Sequence, residues 1–101
     1  MSDPKIIGDS STPHTVLCAG PEECDSGVLM MGSKYRNLLV QVEINGDAVV
    51  HAEGRLVYSG GFFPMKTYSE SRVDLIEIVP PHFRFVKLGT GTAMVMVLSR
   101  N

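Results

Sequence analysis

The stretch LLVQVEINGDAVVHAEGRLVY, from Leu38 to Tyr58, carries the clearest structural signal in the chain. In its first part Leu38, Val40, Val42 and Ile44 alternate with Leu39, Gln41 and Glu43. A period of two places one set on a buried face and the other on the opposite face of a β-strand. Asn45-Gly46-Asp47 follows, and these residue types adopt positive φ at little cost, which is hairpin chemistry. Beyond the turn Val50, Ala52, Leu56 and Tyr58 share one face, with Gly54 among them, while His51, Glu53 and Arg55 share the other. The expectation is a β-hairpin closed by Asn45-Gly46-Asp47.

Working outward from this pair, the same signal recurs in shorter pieces. Val16-Leu17-Cys18 reads as a first strand, AGPEECDSG (Ala19–Gly27) as a loop, and GVLMMG between Gly27 and Gly32 as a compact apolar strand. Ser59-Gly60-Gly61 breaks the pattern. Phe62-Phe63-Pro64-Met65 opens a short strand or packed loop, and KTYSES is polar and turn-like. Val73, Leu75, Ile76, Ile78 and Val79 form a strand stopped by Pro80-Pro81. HFRFVKL sets Phe83 and Phe85 against Arg84, and Gly89-Thr90-Gly91 turns it into the closing AMVMVL. No segment has a helix start, a heptad or a 3.6-residue period. Seven or so short strands separated by turns predict an all-β fold, a single antiparallel sandwich or barrel.

With 101 residues there is room for one core, and a hydrophobic fraction of 44% against 20% charged is too apolar for a disordered chain. Residues 1–14 differ from the rest: two prolines, three serines and a single apolar pair, Ile6-Ile7. They read as an extended N-terminal arm, with the folded domain running from 15 to 101. Charge follows the same division, since five acids precede Ser26 against one Lys, while the remainder holds eight bases and six acids. A net charge of −2 gives no field that would draw the chain to nucleic acid or to an anionic membrane. No apolar run reaches the roughly 18 residues of a membrane span, and the first residues lack a signal peptide's apolar stretch. Synthesis in a cytoplasm is therefore expected, with Cys18 and Cys24 as thiols.

Candidate chemistry is sparse. His51 and Glu53 lie two apart on the polar face of a strand, a geometry that permits proton transfer but is commonplace on solvated strands. His14, Cys18 and Cys24 are metal-ligand types, yet they lack the tight spacing of a structural zinc knuckle and a fourth ligand, and Glu22, Glu23 and Asp25 do not form a calcium loop. The glycines of Gly89-Thr90-Gly91 and Gly60-Gly61 precede no helix and read as turns, not phosphate cradles. Phe83-Arg84-Phe85 with Lys87 has the residue types of a nucleic-acid surface, but the two Phe fall on the face that the core claims. The expectation is no catalytic residue, no cofactor, no metal, no nucleic acid and no membrane. Tyr35, Tyr58 and Tyr68 are the aromatics that a carbohydrate site would use.

The closing strand stands apart because both of its faces are apolar: Ala93, Val95 and Val97 on one, Met94, Met96 and Leu98 on the other. Either it is a central strand covered on both sides, or its methionine face meets another protein. On the second reading Met94, Met96 and Leu98, together with Ile6 and Ile7 of the arm, are the contact residues.

The segment from Gly27 to Leu98 resembles structural proteins of tailed bacteriophages. The likeness lies in the Gly-bounded strand GVLMMG, the strand LLVQVEI, the aromatic segment GGFFPM and the closing HFRFVKLGTGTAMVMVL. It implies a jelly-roll-like or immunoglobulin-like β-sandwich and the role of a capsid decoration or auxiliary head protein. The partners would be the major capsid protein or neighbouring copies, in a homo-oligomer located in the virion. A carbohydrate- or receptor-binding module associated with a tail or fibre is the alternative. The cysteine-containing leader departs from the pattern and leaves the location within the particle open.

Overall fold

The computed structural model describes residues 5–7, 14–31, 37–57, 60–77 and 79–100. Ten strands run through them: β1 (Lys5–Ile7), β2 (His14–Ala19), β3 (Cys24–Asp25), β4 (Leu29–Met31), β5 (Asn37–Asn45), β6 (Ala48–Arg55), β7 (Phe63–Tyr68), β8 (Arg72–Ile76), β9 (His82–Gly89) and β10 (Thr92–Arg100). The chain is all-β, with no helix among the described residues. The strands form two sheets, a four-stranded one in the order β2-β10-β5-β8 and a six-stranded one in the order β1-β4-β9-β6-β7, in which β3 also pairs with β9.

Both long strands around Asn45-Gly46-Asp47 form as the alternation predicts, with Leu38, Val40 and Val42 of β5 and Ala48, Val50 and Ala52 of β6 buried. The predicted hairpin does not. β5 pairs with β10 and β8 in one sheet, and β6 pairs with β9 and β7 in the other. The turn at Asn45-Gly46-Asp47 is therefore a corner that carries the chain from sheet to sheet. The turn from β9 to β10 makes the same crossing beside it. Thr92 opposes Asn45 on one side of the corner and Gly89 opposes Ala48 on the other, so each chain spends two residues in the bend and the antiparallel register continues unbroken. β5–β6 and β9–β10 are in effect one long two-stranded ribbon, folded across its middle. β2–β3 on one flank and β7–β8 on the other turn alongside it, which is how strands that switch sheets build such corners.

The nested bends leave no room for a side chain at Gly89 or Gly91. Gly91 N donates to Asp47 O at 2.9 Å. Gly89 has φ +91°, and a Cβ added to it would overlap the Asp47 carbonyl oxygen. Glycine is the residue that tolerates both demands.

Between the sheets lies one buried cluster: Leu17, Leu38, Val40, Val42, Ile76, Ala93, Val95 and Val97 from the four-stranded sheet, and Ile7, Leu29, Ala48, Val50, Ala52, Tyr68, Phe83 and Phe85 from the other. The Phe83 and Phe85 rings meet edge-to-face at 6.2 Å, the arrangement that aromatic quadrupoles favour.

Four expectations need correction. Leu56, expected on the buried face of β6, lies past the strand end and is exposed. Lys66-Thr67-Tyr68, expected as turn, continues β7 as an edge strand, a place that also tolerates Pro64. Cys24 and Asp25, expected in a loop, pair with Lys87 and Val86 as β3. Within the expected arm, Lys5–Ile7 is a strand that pairs in parallel with β4, and Ile7 is 0% exposed in the chain's own core, so it is not a surface contact. Residues 1–4 and 8–13 of that arm, like Gly32, Tyr58 and Ile78 of the predicted strands, lie outside the described residues.

Candidate functional site

The register decides what each sheet shows to the outside. On the four-stranded sheet Ala93, Val95 and Val97 point to the core, so Met94, Met96 and Leu98 point outward. They oppose Glu43, Gln41 and Leu39 of β5, and Met94 and Met96 oppose Cys18 and Thr15 of β2. Across β5, Gln41 and Leu39 in turn oppose Val73 and Leu75 of β8, which are 59% and 44% exposed. The outcome is one contiguous face of Met94, Met96, Leu98, Leu39, Val73 and Leu75, half-buried at its centre and more open along β8. A shallow cavity of about 90 Å³ lies within it, lined by Leu39, Gln41, Val73, Met96, Val97 and Leu98. Gln41, exposed, sits within this face between Met96 and Val73, and its Nε2 donates to Glu43 Oε1 at 3.3 Å. β10 is central within its sheet, yet among the described residues no second sheet covers this face. Of the five residues expected to make contacts, Met94, Met96 and Leu98 share it. Ile6 is 62% exposed but belongs to β1 on the other sheet, and Ile7 is buried.

The outer face of the other sheet is built differently. Glu53 and Arg84 stand directly opposite and form an ion pair, with Arg84 Nε donating to Glu53 Oε1 at 2.7 Å. The Arg84 and Arg55 guanidinium groups lie 4.2 and 4.6 Å from the centre of the Phe62 ring, within cation–π range. His51 Nδ1 is 2.9 Å from Thr67 Oγ1. His51 and Glu53 thus share a face, as expected, but each is engaged with a different neighbour and not with the other. Apolar residues on this side, Val49, Val86 and Leu88, sit near the corner.

Lys87, one of the residues weighed above for a nucleic-acid surface, is turned inward. It follows Phe83 and Phe85 on the inner face, is 0% exposed, and donates from Nζ to the carbonyl oxygens of Gly20 (3.0 Å), Glu22 (3.1 Å) and Gly89 (2.7 Å). An ammonium has three donors, and here all three are used. The residue ties the β2–β3 loop to the corner and offers nothing to a nucleic acid.

At the open edge of the two sheets Lys66 and Tyr68 of β7 converge on Asp74 of β8. Lys66 Nζ and Tyr68 Oη both donate to Asp74 Oδ2 at 2.8 Å. The Lys66 hydrogen bond, reinforced by the one from Tyr68, holds the Asp74 carboxyl below the ordinary carboxylate value, against the opposing effect of its burial. Burial, and next the bond to Asp74, raises the Tyr68 hydroxyl well above its usual value. Since β7 and β8 belong to different sheets, this cluster clamps one sheet to the other.

Cys18 and Cys24 are both exposed and unbridged. Among the described residues no three His, Cys, Asp or Glu side chains converge as metal ligands would. Tyr68 is buried and so unavailable to a sugar, while Tyr35 and Tyr58 lie outside the described residues. Sequence reasoning missed a groove of about 340 Å³ at the end of the six-stranded sheet, lined chiefly by Leu56, Val57, Phe63, Met65 and Pro80. The available signal was the glycine break at Gly60-Gly61, which removes Leu56 from the strand period.

Comparison of the chain with protein-family models, with curated proteins and with solved structures finds no match. The functional reading therefore rests on the chain's own geometry.

Proposed function

We propose that this chain is a structural protein without turnover, which acts by burying the outer face of its four-stranded sheet against neighbouring protein. The setting we propose is the virion of a tailed phage, as a capsid decoration or auxiliary head component in contact with the major capsid protein or with further copies of itself. We read the two sheets as a jelly roll. The orders β2-β10-β5-β8 and β3/β4-β9-β6-β7, with four segments that turn one corner together, support that reading. Viral capsid domains are among the proteins built this way. Lectins and cupins share the architecture, so the function is argued from the face and not from the fold.

The single observation that carries the reading is the contiguity of Met94, Met96, Leu98, Leu39, Val73 and Leu75. With nine-residue central strands β5 and β10 at about 3.3 Å per residue, and four strands across at about 4.8 Å, the outer face of the sheet measures roughly 30 by 15 Å. That face, about 450 Å², carries the six apolar side chains interleaved with Thr15, Cys18, Gln41 and Glu43, and exposed apolar patches on monomeric proteins are often functional. It also amounts to about half of one side of a standard interface. Covering its six apolar side chains, four of them already half-buried, would gain roughly 1 kcal/mol each, about 6 kcal/mol before the costs of association, which are of similar size. One such contact sits near balance, so many copies held together make the assembly firm.

The test is solution mass by light scattering at several concentrations, with Met96→Glu at the centre of the face. The expected result is a defined oligomer for the parent chain and a monomer for the variant, which still unfolds in one cooperative transition, at a midpoint that no longer depends on concentration. If the parent is monomeric throughout, and Met96→Glu binds assembled capsids as well as the parent does, the reading is wrong.

A further inference from the structure

The weakest-held element that still reaches the core is β1. It is three residues long, lies at the outer edge of the six-stranded sheet, and pairs in parallel with another three-residue strand, β4. β4 is attached to β9 through a single ladder pair, Leu29 opposite Phe83. The contribution of β1 to the core is one side chain, Ile7, while Ile6 beside it faces outward. Segments with few buried contacts and an edge position open at low free-energy cost. An opened β1 leaves two unsatisfied features: an isoleucine-sized cavity in the core and the bare edge of β4. A bare edge is a template for any strand that fits it.

We propose that this groove exchanges occupants, so that Lys5–Ile7 of a neighbouring copy docks on β4 in place of the chain's own segment. The occupant is a second copy because the contacts are then the same ones: Lys5 opposite Leu29, Ile6 opposite Met30, Ile7 opposite Met31 with its side chain in the core. Exchange of an identical element between protomers needs no new complementarity. Reach also permits it. β1 lies in one sheet and β2 in the other, and packed sheets are about 10 Å apart. The chain from Ile7 to His14 spans up to about 25 Å when extended, so the connection is long enough to serve an adjacent copy. The proposal deepens the assembly reading by naming one partner, but it uses a different surface from the face around Met96.

The register supplies the test. Ile6 and Met30 are paired neighbours on the outer side, at a spacing within disulfide range. The full chain carrying Ile6→Cys and Met30→Cys, with Cys18→Ser and Cys24→Ser, is prepared in normal and in nitrogen-15-labelled form. The two are mixed in equal amounts at high concentration, oxidised and digested. Mass spectrometry of the cross-linked peptide pair then reads which chain supplied each half. Exchange predicts mixed-isotope pairs approaching about half of the total, and covalent multimers on non-reducing gels. Same-isotope pairs alone, or no 6–30 cross-link at all, overturn the proposal. The same experiment with Met96→Glu added separates the two readings. Mixed pairs that persist there show exchange independent of the face, and a face that binds while all pairs stay same-isotope shows the face without exchange.

Discussion

Replacing Lys87 by Met should loosen the corner of the fold by a predictable amount. The substitution keeps the length and apolar stem of the side chain and removes the ammonium with its three hydrogen bonds to the carbonyls of Gly20, Glu22 and Gly89. Hydrogen bonds to a charged group contribute about 1.5–3 kcal/mol each, which gives a gross loss of about 5–9 kcal/mol. Two effects offset it. The buried ammonium no longer has to be desolvated, and the exposed Gly20 and Glu22 can give their carbonyls to water. The Gly89 carbonyl, in the nested bend, recovers less. A net loss of about 3 kcal/mol follows, a large share of the roughly 5–15 kcal/mol by which a domain of this size is stable. In thermal unfolding that is a fall of about 12–24 °C, with a matching drop in urea midpoint at unchanged slope. Hydrogen exchange should also quicken first in residues 20–23, the loop that the ammonium tethers. Lys87→Arg, which carries a larger planar group into the same space, should fall between parent and Met. A loss below about 1 kcal/mol for Lys87→Met, with unchanged exchange in the loop, would show that the buried charge costs as much as its bonds return, and would refute the reasoning.

Gly89→Ala should cost more than Gly46→Ala, because the added methyl meets the Asp47 carbonyl oxygen at Gly89 and only Gly91 Cα, at 3.5 Å, at Gly46. Both strain a positive φ, so chemical denaturation should rank them at roughly 3 and 1 kcal/mol. Phe85→Ala removes a fully buried ring that packs on Phe83 and should cost about 3–5 kcal/mol in the same assay. Asp74 adds an acid limb. Its carboxyl is held below the ordinary 3.8, so its contribution is fully present above that value and is lost as the pH falls through the lowered one. Asp74→Asn should therefore be about 1–2 kcal/mol less stable than the parent at neutral pH, and the difference should shrink in strongly acidic urea titrations. Lys66 is exposed enough that Lys66→Ala should cost under about 1 kcal/mol.

The residues of the proposed interface divide the same way as the fold between what a sequence can carry and what it cannot. Met94, Met96 and Leu98 were readable as one face because alternation in AMVMVL is strict, but that this face is the outward one was decided by the structure. Their neighbours Val73 and Leu75 were not, because membership of one face depends on β8 lying beside β5, 30 or so residues away in the chain. Ile7 was misjudged for a related reason. Its surroundings are polar and proline-rich, and nothing local reports that β4 offers it a ladder and a core cavity. The burial of Lys87 was not readable, because a lysine after two inward phenylalanines breaks the composition of a buried face, and only the three carbonyls gathered from distant turns make its burial affordable.

By itself the sequence determined that this chain is all-β, where its long strands run, and which parity of β5 and β6 is buried. Period-two patterning and turn residues are local properties, and local geometry is enough to express them. Which sheet each strand joins was decided by the tertiary structure alone. Asn45-Gly46-Asp47 is chemically suited both to a hairpin and to a bend between sheets, since each needs positive φ and small side chains, and the inward parity of β5 and β6 is the same in either case. The choice fell to non-local pairing. β5 finds β10 and β6 finds β9 in one continuous register, and Gly46, Gly89 and Gly91 let the two bends lie against each other with Gly91 bonded to Asp47. That arrangement buries both inner faces against each other, whereas a hairpin would have left them side by side on one sheet with nothing opposite.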